Sequence, residues 1–521
     1  MSTRRLLLVP ALAAGLVLTS CVFVTTSPRP VVRPGFGLRQ AVNVPAKAHL
    51  IDGAVVIFPS GIELDSSRVY ARPGSTGLRY PLGFTGMPGP VSSVLLDSVG
   101  FLEQYNRRFD VPSCLLSLPA VATGAAAGLA VLLVAIFGSC PTVYSWDGAK
   151  YVLEAEAFSY SVSRTTAAGD LDRLDELHTD SGAVRLLLTN EALETHHINE
   201  LSLLAVDHSA DFEAFPTDAG RVLLFGLPQA ELRAVNRLGR DVTAEIASRD
   251  DRWYATDSAL TAQLPDSAVH DWLDLSVPIP QGSRKLVMAL RYRNTLLNTA
   301  LLYDVMLADQ GARALDWQAR DLNNPFYLWR FGNWYSRHFR IHVKVPRGNG
   351  MREVKLIRDT GPITWHLTAF ELPVTPGETA HFRLETIADN VHLDWVGASF
   401  QTAPCRPVPV GCREIEQSGE ALPDLLPLFA ATDHRELVTG PGESYTLTFD
   451  APPATGEKRT WFVKTHGWYS EWLRGHDLGR EPVALDLSDA SVRRAGATWL
   501  RKKADMERRF YELKVPITRG Q

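Results

Sequence analysis

Apolar and polar residues alternate along much of this chain. Phe339, Ile341, Val343 and Val345 interleave with Arg340, His342 and Lys344. A period of two puts the apolar groups on one face of a strand and the charged groups on the other. Leu286, Met288, Leu290 and Tyr292, set against Arg291 and Arg293, predict a second half-buried strand. The same reasoning predicts strands at 353–357, 364–370, 381–386, 391–396, 444–449 and 460–465. Upstream it predicts a hairpin of 141–146 and 150–160 about Asp147-Gly148, then strands at 184–189, 201–206, 212–215 and 221–225. Residues 230–247 read as mixed strand and turn, and 170–179 and 190–200 as polar loops. Two-faced strands between Gly/Pro turns predict antiparallel β-sandwiches. Near the N-terminus, 47–109 reads as a small SH3-like β unit built around an Asp52-Gly53 hairpin, with further strands at 67–71, 77–80 and 91–99.

Helical periodicity is scarce. Leu297, Leu301, Val305 and Ala308 recur at helical spacing over 294–318, with Asn294 or Thr295 able to cap the element. The tail, 498–513, carries Arg501, Lys502, Lys503, Arg508 and Arg509 and reads as a short amphipathic helix. The aromatic patch at 326–339 reads as loop. The predicted fold is therefore mainly β: a small SH3-like unit, one apolar helical segment, then antiparallel β-sandwich domains with one or two helices. The divisions expected are 1–21 leader, 22–46 tether, 47–109 small β unit, 114–139 apolar helical segment, 140–293 β-rich domain, 294–318 helix and 319–521 β-sandwich. At 521 residues the chain is too long for one core.

The N-terminus changes the picture from fold to place. Arg4 and Arg5 precede an apolar core from Leu6 to Leu18, and Leu18-Thr19-Ser20-Cys21 follows. That is the layout of an export signal. Its last four residues resemble a bacterial lipobox, whose cysteine is acylated and becomes the first residue of the mature chain. The resemblance implies a lipid on Cys21, a membrane tether and a cell-envelope location. Val22, where a retention aspartate could stand, points to the outer membrane, facing the periplasm or the cell surface.

Export permits disulfides. With Cys21 acylated, Cys114, Cys140, Cys405 and Cys412 remain, and three connectivities are open. Cys405 and Cys412 flank a short Pro-rich loop and are expected to pair. Cys114 and Cys140 cannot pair across a straight helix of about 25 residues at ~1.5 Å rise each. The run between them, 115–138, is long and apolar enough to span a bilayer, with Gly124 and Gly128 at close-packing spacing. A lipid at Cys21 would nevertheless place the downstream chain on the wrong side of such a span. Membrane insertion and a helix buried between domains or lying on the membrane both stay open.

Net charge of −5 leaves no basic footprint, which excludes nucleic acid as a partner. Asp359-Thr360-Gly361 is the triad of aspartic proteases, but Arg358 and Pro362 flank it wrongly and it reads as a turn. His196-His197, with Glu191, Glu194 and Glu200, lacks a ligand spacing and reads as a solvated loop. Asp170, Asp172, Asp175 and Asp180 lack the calcium-loop order. No metal or cofactor is expected, and no catalytic residue is assigned. The aromatics carry more: eleven of the twelve tryptophans fall between Trp253 and Trp499. Planar rings suit the apolar face of a sugar, and Trp329, Trp334, Trp468, Tyr469 and Trp472 are the platform candidates.

The segment Ser139-Cys140-Pro141-Thr142-Val143-Tyr144-Ser145-Trp146-Asp147-Gly148 resembles the opening of a β-rich domain in an uncharacterised group of bacterial exported proteins. The resemblance covers roughly 140–210 and implies no chemistry. The expected role is a structural, assembly or binding one in the envelope, with other envelope proteins or glycan as partners. A glycan-binding module and a hydrolase of envelope polymer are the alternatives.

Overall fold

A computed structural model of the chain describes residues 24–30, 39–109 and 141–512, apart from 45, 51–54, 59, 81–88, 191–193, 418, 434, 441–442 and 472–479. Cys21, Cys114, the 115–138 run, Cys140 and Trp472 lie outside the described residues. Among those described, no helix is long and apolar enough to cross a membrane. The fold is mainly β, with several antiparallel sheets and few helices. The described residues of Met1–Leu133 form one compact unit, and those of Val134–Gly440 with Ser444–Glu512 form another.

In the first unit Ala46–Leu50 and Val55–Phe58 pair antiparallel, with Ala48 opposite Val56, while the expected Asp52-Gly53 turn lies outside the described residues. They belong to a six-stranded sheet that faces a four-stranded one. Ala46, Val56, Phe58, Ile62, Leu64 and Val69 fill the core. Gly61 has φ +92, and a Cβ there would lie 2.1 Å from the Val42 carbonyl oxygen, so only glycine fits. The expected tether is not free throughout: Val24–Pro30 pairs along Val99–Phe109 as an edge strand.

The second unit holds two sandwiches, and sheet pairing crosses the expected 140–293 and 319–521 division. In the first, Thr142–Trp146, Tyr151–Glu156 and Ala183–Thr189 share a sheet with Cys412–Gln417 and Ser444–Asp450. Its facing sheet runs Ala168–Leu174, Lys458–Glu471, Glu194–His208, Val408–Val410, with Leu437–Thr439 also on Glu194–His208. Leu186, Leu203, Leu447, Phe449 and Val463 meet in the core between them. In the second sandwich, Arg233–Asn236, His270–Pro278, Thr379–Ile387, Ile341–Arg347 and Gly350–Ile357 face His366–Pro373, Lys285–Asn294 and Val391–Ser399. Leu275, Met288, Leu290, Ile341 and Val343 lie between those sheets.

A two-faced hairpin, Phe212–Pro216 with Val222–Gly226, joins the sandwiches. Ala214 and Leu224 pack on Leu171, Val206 and Phe462 of the first. Phe215 and Phe225 pack on Val287, Ala289, Leu367 and Trp395 of the second. Strand alternation makes this possible, since neighbouring side chains point to opposite faces. Glu213 adds a charged bridge, 3.1 Å from Arg173 and 2.7 Å from Arg249.

Several expectations are corrected. The loop expected over 170–179 begins only at 175: Ala168–Leu174 is an edge strand paired with Trp461–Gly467. Residues 194–208 form one long strand, so His196-His197 is no solvated loop. The helix over 294–318 is broken into a short α-helical turn, Leu296–Ala300, a widened stretch, Leu301–Leu307, and a left-handed Gly311. Thr295 caps it, accepting from the Leu297 N–H at 3.2 Å. The aromatic patch is a helix, Pro325–Phe339, because Asn324 accepts from the N–H groups of Phe326 and Tyr327 and Pro325 suits the first turn. The tail helix is longer than expected, Asp489–Glu512. Cys405 and Cys412 are not bridged: their thiols donate instead to the carbonyl oxygens of Val222 and of Glu414.

Polar groups also line the seam between the sandwiches. His366 Nδ1 lies 3.0 Å from Asp172 Oδ1, and Thr368 donates to Asp218 at 3.0 Å. Arg358 donates to the Tyr160 hydroxyl and to the carbonyl oxygens of Gly169 and Asp218. Burial, then the charge of Asp172, pushes Asp170 up to about 7. Burial pushes Glu154 up to about 8, against the donors Ser145 and Glu176. Burial opposes charging of His366, but the bond to Asp172 raises it overall. Groups raised on folding contribute stability at low pH and lose it as pH climbs through their folded values. His196 and His338 act oppositely, since burial lowers them to about 3 and about 4, but only below about 6.5. Thermal stability is therefore expected to fall between about pH 6.5 and 8.5, by roughly 2–4 °C for each kilocalorie lost. Glu154→Gln should flatten that fall. A melting temperature that is level or rising over this window, read by calorimetry, contradicts the assignment.

Candidate functional site

The outer face of the sheet containing Glu194–His208 is divided in two. The hairpin covers one end, where Val206 and Phe462 lie. At the other end the same two strands present polar and aromatic groups. His197 and Trp468 are cross-strand partners. Their rings stack with centroids 3.8 Å apart and planes 4° from parallel. Glu436, just ahead of the strand Leu437–Thr439, ties both rings: His197 Nδ1 lies 2.9 Å from one carboxylate oxygen, and the indole N–H donates to the other at 3.3 Å. His197 and Glu436 each keep 20% of their side-chain surface exposed. Burial opposes ionisation of Glu436, yet the His197 hydrogen bond and charge leave its carboxyl below its ordinary value.

A β-bulge extends the patch. Register shifts between Ile198 and Glu200, leaving Asn199 as the extra residue. The bulge puts both His197 and Glu200 on the outer face. Asn199 is fixed by its amide, which donates to the carbonyl oxygens of Asp433 and Arg435 at 3.0 and 2.8 Å. Its own oxygen faces His466 Nδ1 at 3.3 Å. Lys464 and Thr432 hold the two oxygens of Glu200 at 2.6 and 2.9 Å. Opposite the bulge, a Cβ on Gly467 would lie 2.3 Å from the His197 carbonyl oxygen, so the close approach needs glycine. The patch thus offers aromatic planes, carboxylates, an amide and an ammonium on rigid strands, a set suited to hydroxyl-bearing ligands with an apolar face.

The opposite face of the same strands holds a sealed acidic pair. Glu194 and Glu471 are cross-strand partners, 0% and 7% exposed. Tyr303 donates to Glu471 at 2.5 Å, and His196 lies 3.5 Å from Glu194. Burial, then the charge of Glu471, raises Glu194 well above its ordinary value. Two adjacent carboxyl groups cannot both ionise there. Being buried, they do not meet solvent-borne substrate.

The platform candidates separate. Trp468 sits in the patch. Trp334 is 3% exposed, with its indole donating to the Ser488 carbonyl oxygen, and Tyr469 is 0% exposed, donating to that of Ser159. Both are core residues. Trp329 is 64% exposed on a different element. Glu436 was missed and His197 reads as loop in the sequence, because only the long-range register brings them to Trp468. Asp359 is buried, bonded by the Tyr335 hydroxyl at 2.7 Å. A second triad of its pattern, Asp180-Ser181-Gly182, passed over in the sequence, is an exposed hairpin turn with Asp180 paired to Arg185. Among the described residues no group of three His, Cys, Asp or Glu side chains could hold a metal.

No family model matches the chain. No curated protein matches it. Solved structures give distant likenesses. The C-terminal CBM6 of LamC, a laminarinase from Zobellia galactanivorans, is 11% identical over 38% of this chain and 98% of its own, with a TM-score of 0.14. Allantoicase is 10% identical over 43% and 79%, with a TM-score of 0.19. The GH31 alpha-xylosidase from Xanthomonas citri is 9% identical over 84% and 38%, with a TM-score of 0.16. Likenesses this slight carry no argument about fold or function.

Proposed function

We propose that this chain is an envelope lipoprotein, tethered through acyl chains on Cys21, whose first sandwich binds glycan on its open outer face. The observation that carries the reading is the His197–Trp468 stack, held at both rings by Glu436 and left partly exposed beside Asn199, His466, Lys464 and Glu200. A fixed aromatic plane buries the apolar face of a pyranose, while carboxylate and amide oxygens accept from its hydroxyls. The role is recognition rather than bond cleavage.

Titration of tryptophan fluorescence with peptidoglycan fragments and neutral and acidic polysaccharides tests it. Trp468→Ala and Glu436→Gln are each expected to weaken binding about tenfold or more, the ~1.4 kcal/mol of one lost anchoring contact. Unchanged affinity in both variants, or no response to any glycan, ends the reading.

A further inference from the structure

The helix Pro325–Phe339 turns its larger aromatics both ways. Phe331, Trp334, His338 and Phe339 are buried. On the outward side Phe326 is 68% exposed and Trp329 64%. Their rings lie side by side, 6.3 Å apart and 29° from parallel. They are the only aromatics among the large apolar side chains exposed to this degree in the described residues. Arg330, Asn333 and Arg337, also exposed, continue the same stripe at helical spacing. The helix contains no acidic residue. Just ahead of it Arg320 is 63% exposed, and Asp321 lies 3.5 Å from it.

We propose that this stripe docks on an anionic bilayer surface, with Phe326 and Trp329 at headgroup level and Arg330 and Arg337 on lipid phosphates. Aromatic rings with basic residues alongside are the signature of helices lying in the membrane interface. Charge selects this occupant: apart from Asn333 the stripe offers the target cations and donors, so it meets anions. Two rings are too small an apolar area for a stable protein partner, which needs about 800 Å² on each side. A glycan platform would add carboxylate acceptors beside the rings, as the Trp468 patch does and this stripe does not. The inference is independent of glycan binding at that patch.

The test exploits the sequence. No tryptophan precedes Trp146, so an N-terminal anchor is silent in tryptophan fluorescence. The full chain is mixed with phosphatidylglycerol vesicles whose lipids are brominated near the headgroup, and quenching is read. Trp329→Phe, a surface change, is expected to remove most of the quenching. Arg330→Gln with Arg337→Gln, or high salt, should reduce it on these vesicles. Phosphatidylcholine vesicles should give little Trp329-dependent quenching. Equal quenching with and without Trp329 overturns the proposal. So does a Trp329-dependent response to soluble acidic polysaccharide with none to vesicles.

Discussion

Replacing Trp395 with alanine is expected to destabilise the 141–512 unit by ~3–5 kcal/mol, the range for deleting a buried large aromatic. Trp395 is 1% exposed, on the face of Val391–Ser399 that meets the hairpin. Its ring lies 5.7 Å from Phe215 and 6.0 Å from Phe225, and Arg249 sits 5.1 Å over it. The strand makes room for it two residues on: a Cβ on Gly397 would lie 2.2 Å from the indole. Because the hairpin's other face is packed on the first sandwich, the loss should loosen the joint and not only the second sandwich. The denaturant midpoint checks the size of the effect. Proteolysis within 212–226 checks its place. Trp329→Ala, at an exposed position, should change stability by no more than ~0.5 kcal/mol. A Trp395 variant that loses under ~1 kcal/mol would refute the hairpin's role as the joint.

That joint also explains where sequence reading stopped. Two-faced strands announce themselves locally, so the sheets containing Ile341–Arg347 and Lys285–Asn294 could be anticipated from alternation alone. What alternation cannot reveal is a second apolar cover. Arg291 and Arg293 suggested a solvated face, yet Arg293 is 1% exposed, with its guanidinium 5.1 Å from the Trp253 ring and 4.4 Å from that of Trp365. His196-His197 looked like loop because its partners lie far along the chain: Tyr469 and Trp468 across the ladder, and Glu436 beside it. Trp468 was legible as a ring in the right kind of fold. The carboxylate that fixes it was not, since register is a tertiary fact. The helix Pro325–Phe339 hid behind aromatic residues of middling helix propensity and a central Gly332, and tertiary burial of one face overrode both. Thiol pairing failed for a related reason. Closeness in sequence says nothing of direction, and Cys405 turns toward Val222 while Cys412 turns into its own sheet.

The same dependence on distant partners makes Asp389 the second position of large effect. It is 2% exposed and left-handed, with φ +60. One carboxylate oxygen accepts from the Trp499 indole N–H and from Lys503, each at 2.6 Å, and so pins the helix Asp489–Glu512. Burial raises its carboxyl above the ordinary value, against the pull of Lys503 and Trp499. Asp389→Ala leaves a buried indole N–H unpartnered and the half-buried ammonium with only the more distant Glu507, at 3.8 Å, a loss of ~3–5 kcal/mol for a broken buried pair. Left-handed backbone adds ~1 kcal/mol or more for alanine. Asp389→Gly relieves the backbone but not the lost carboxylate, so it should recover only that last increment. Asp389→Asn keeps both the conformation and an acceptor for Trp499, and should fall between alanine and the unaltered chain. The helix carries Arg501, Lys502 and Lys503, so trypsin should cut it faster in the same order. Equal trypsin resistance in Asp389→Ala and the unaltered protein would mean that Val492, Ala495 and Trp499 hold the helix by packing alone.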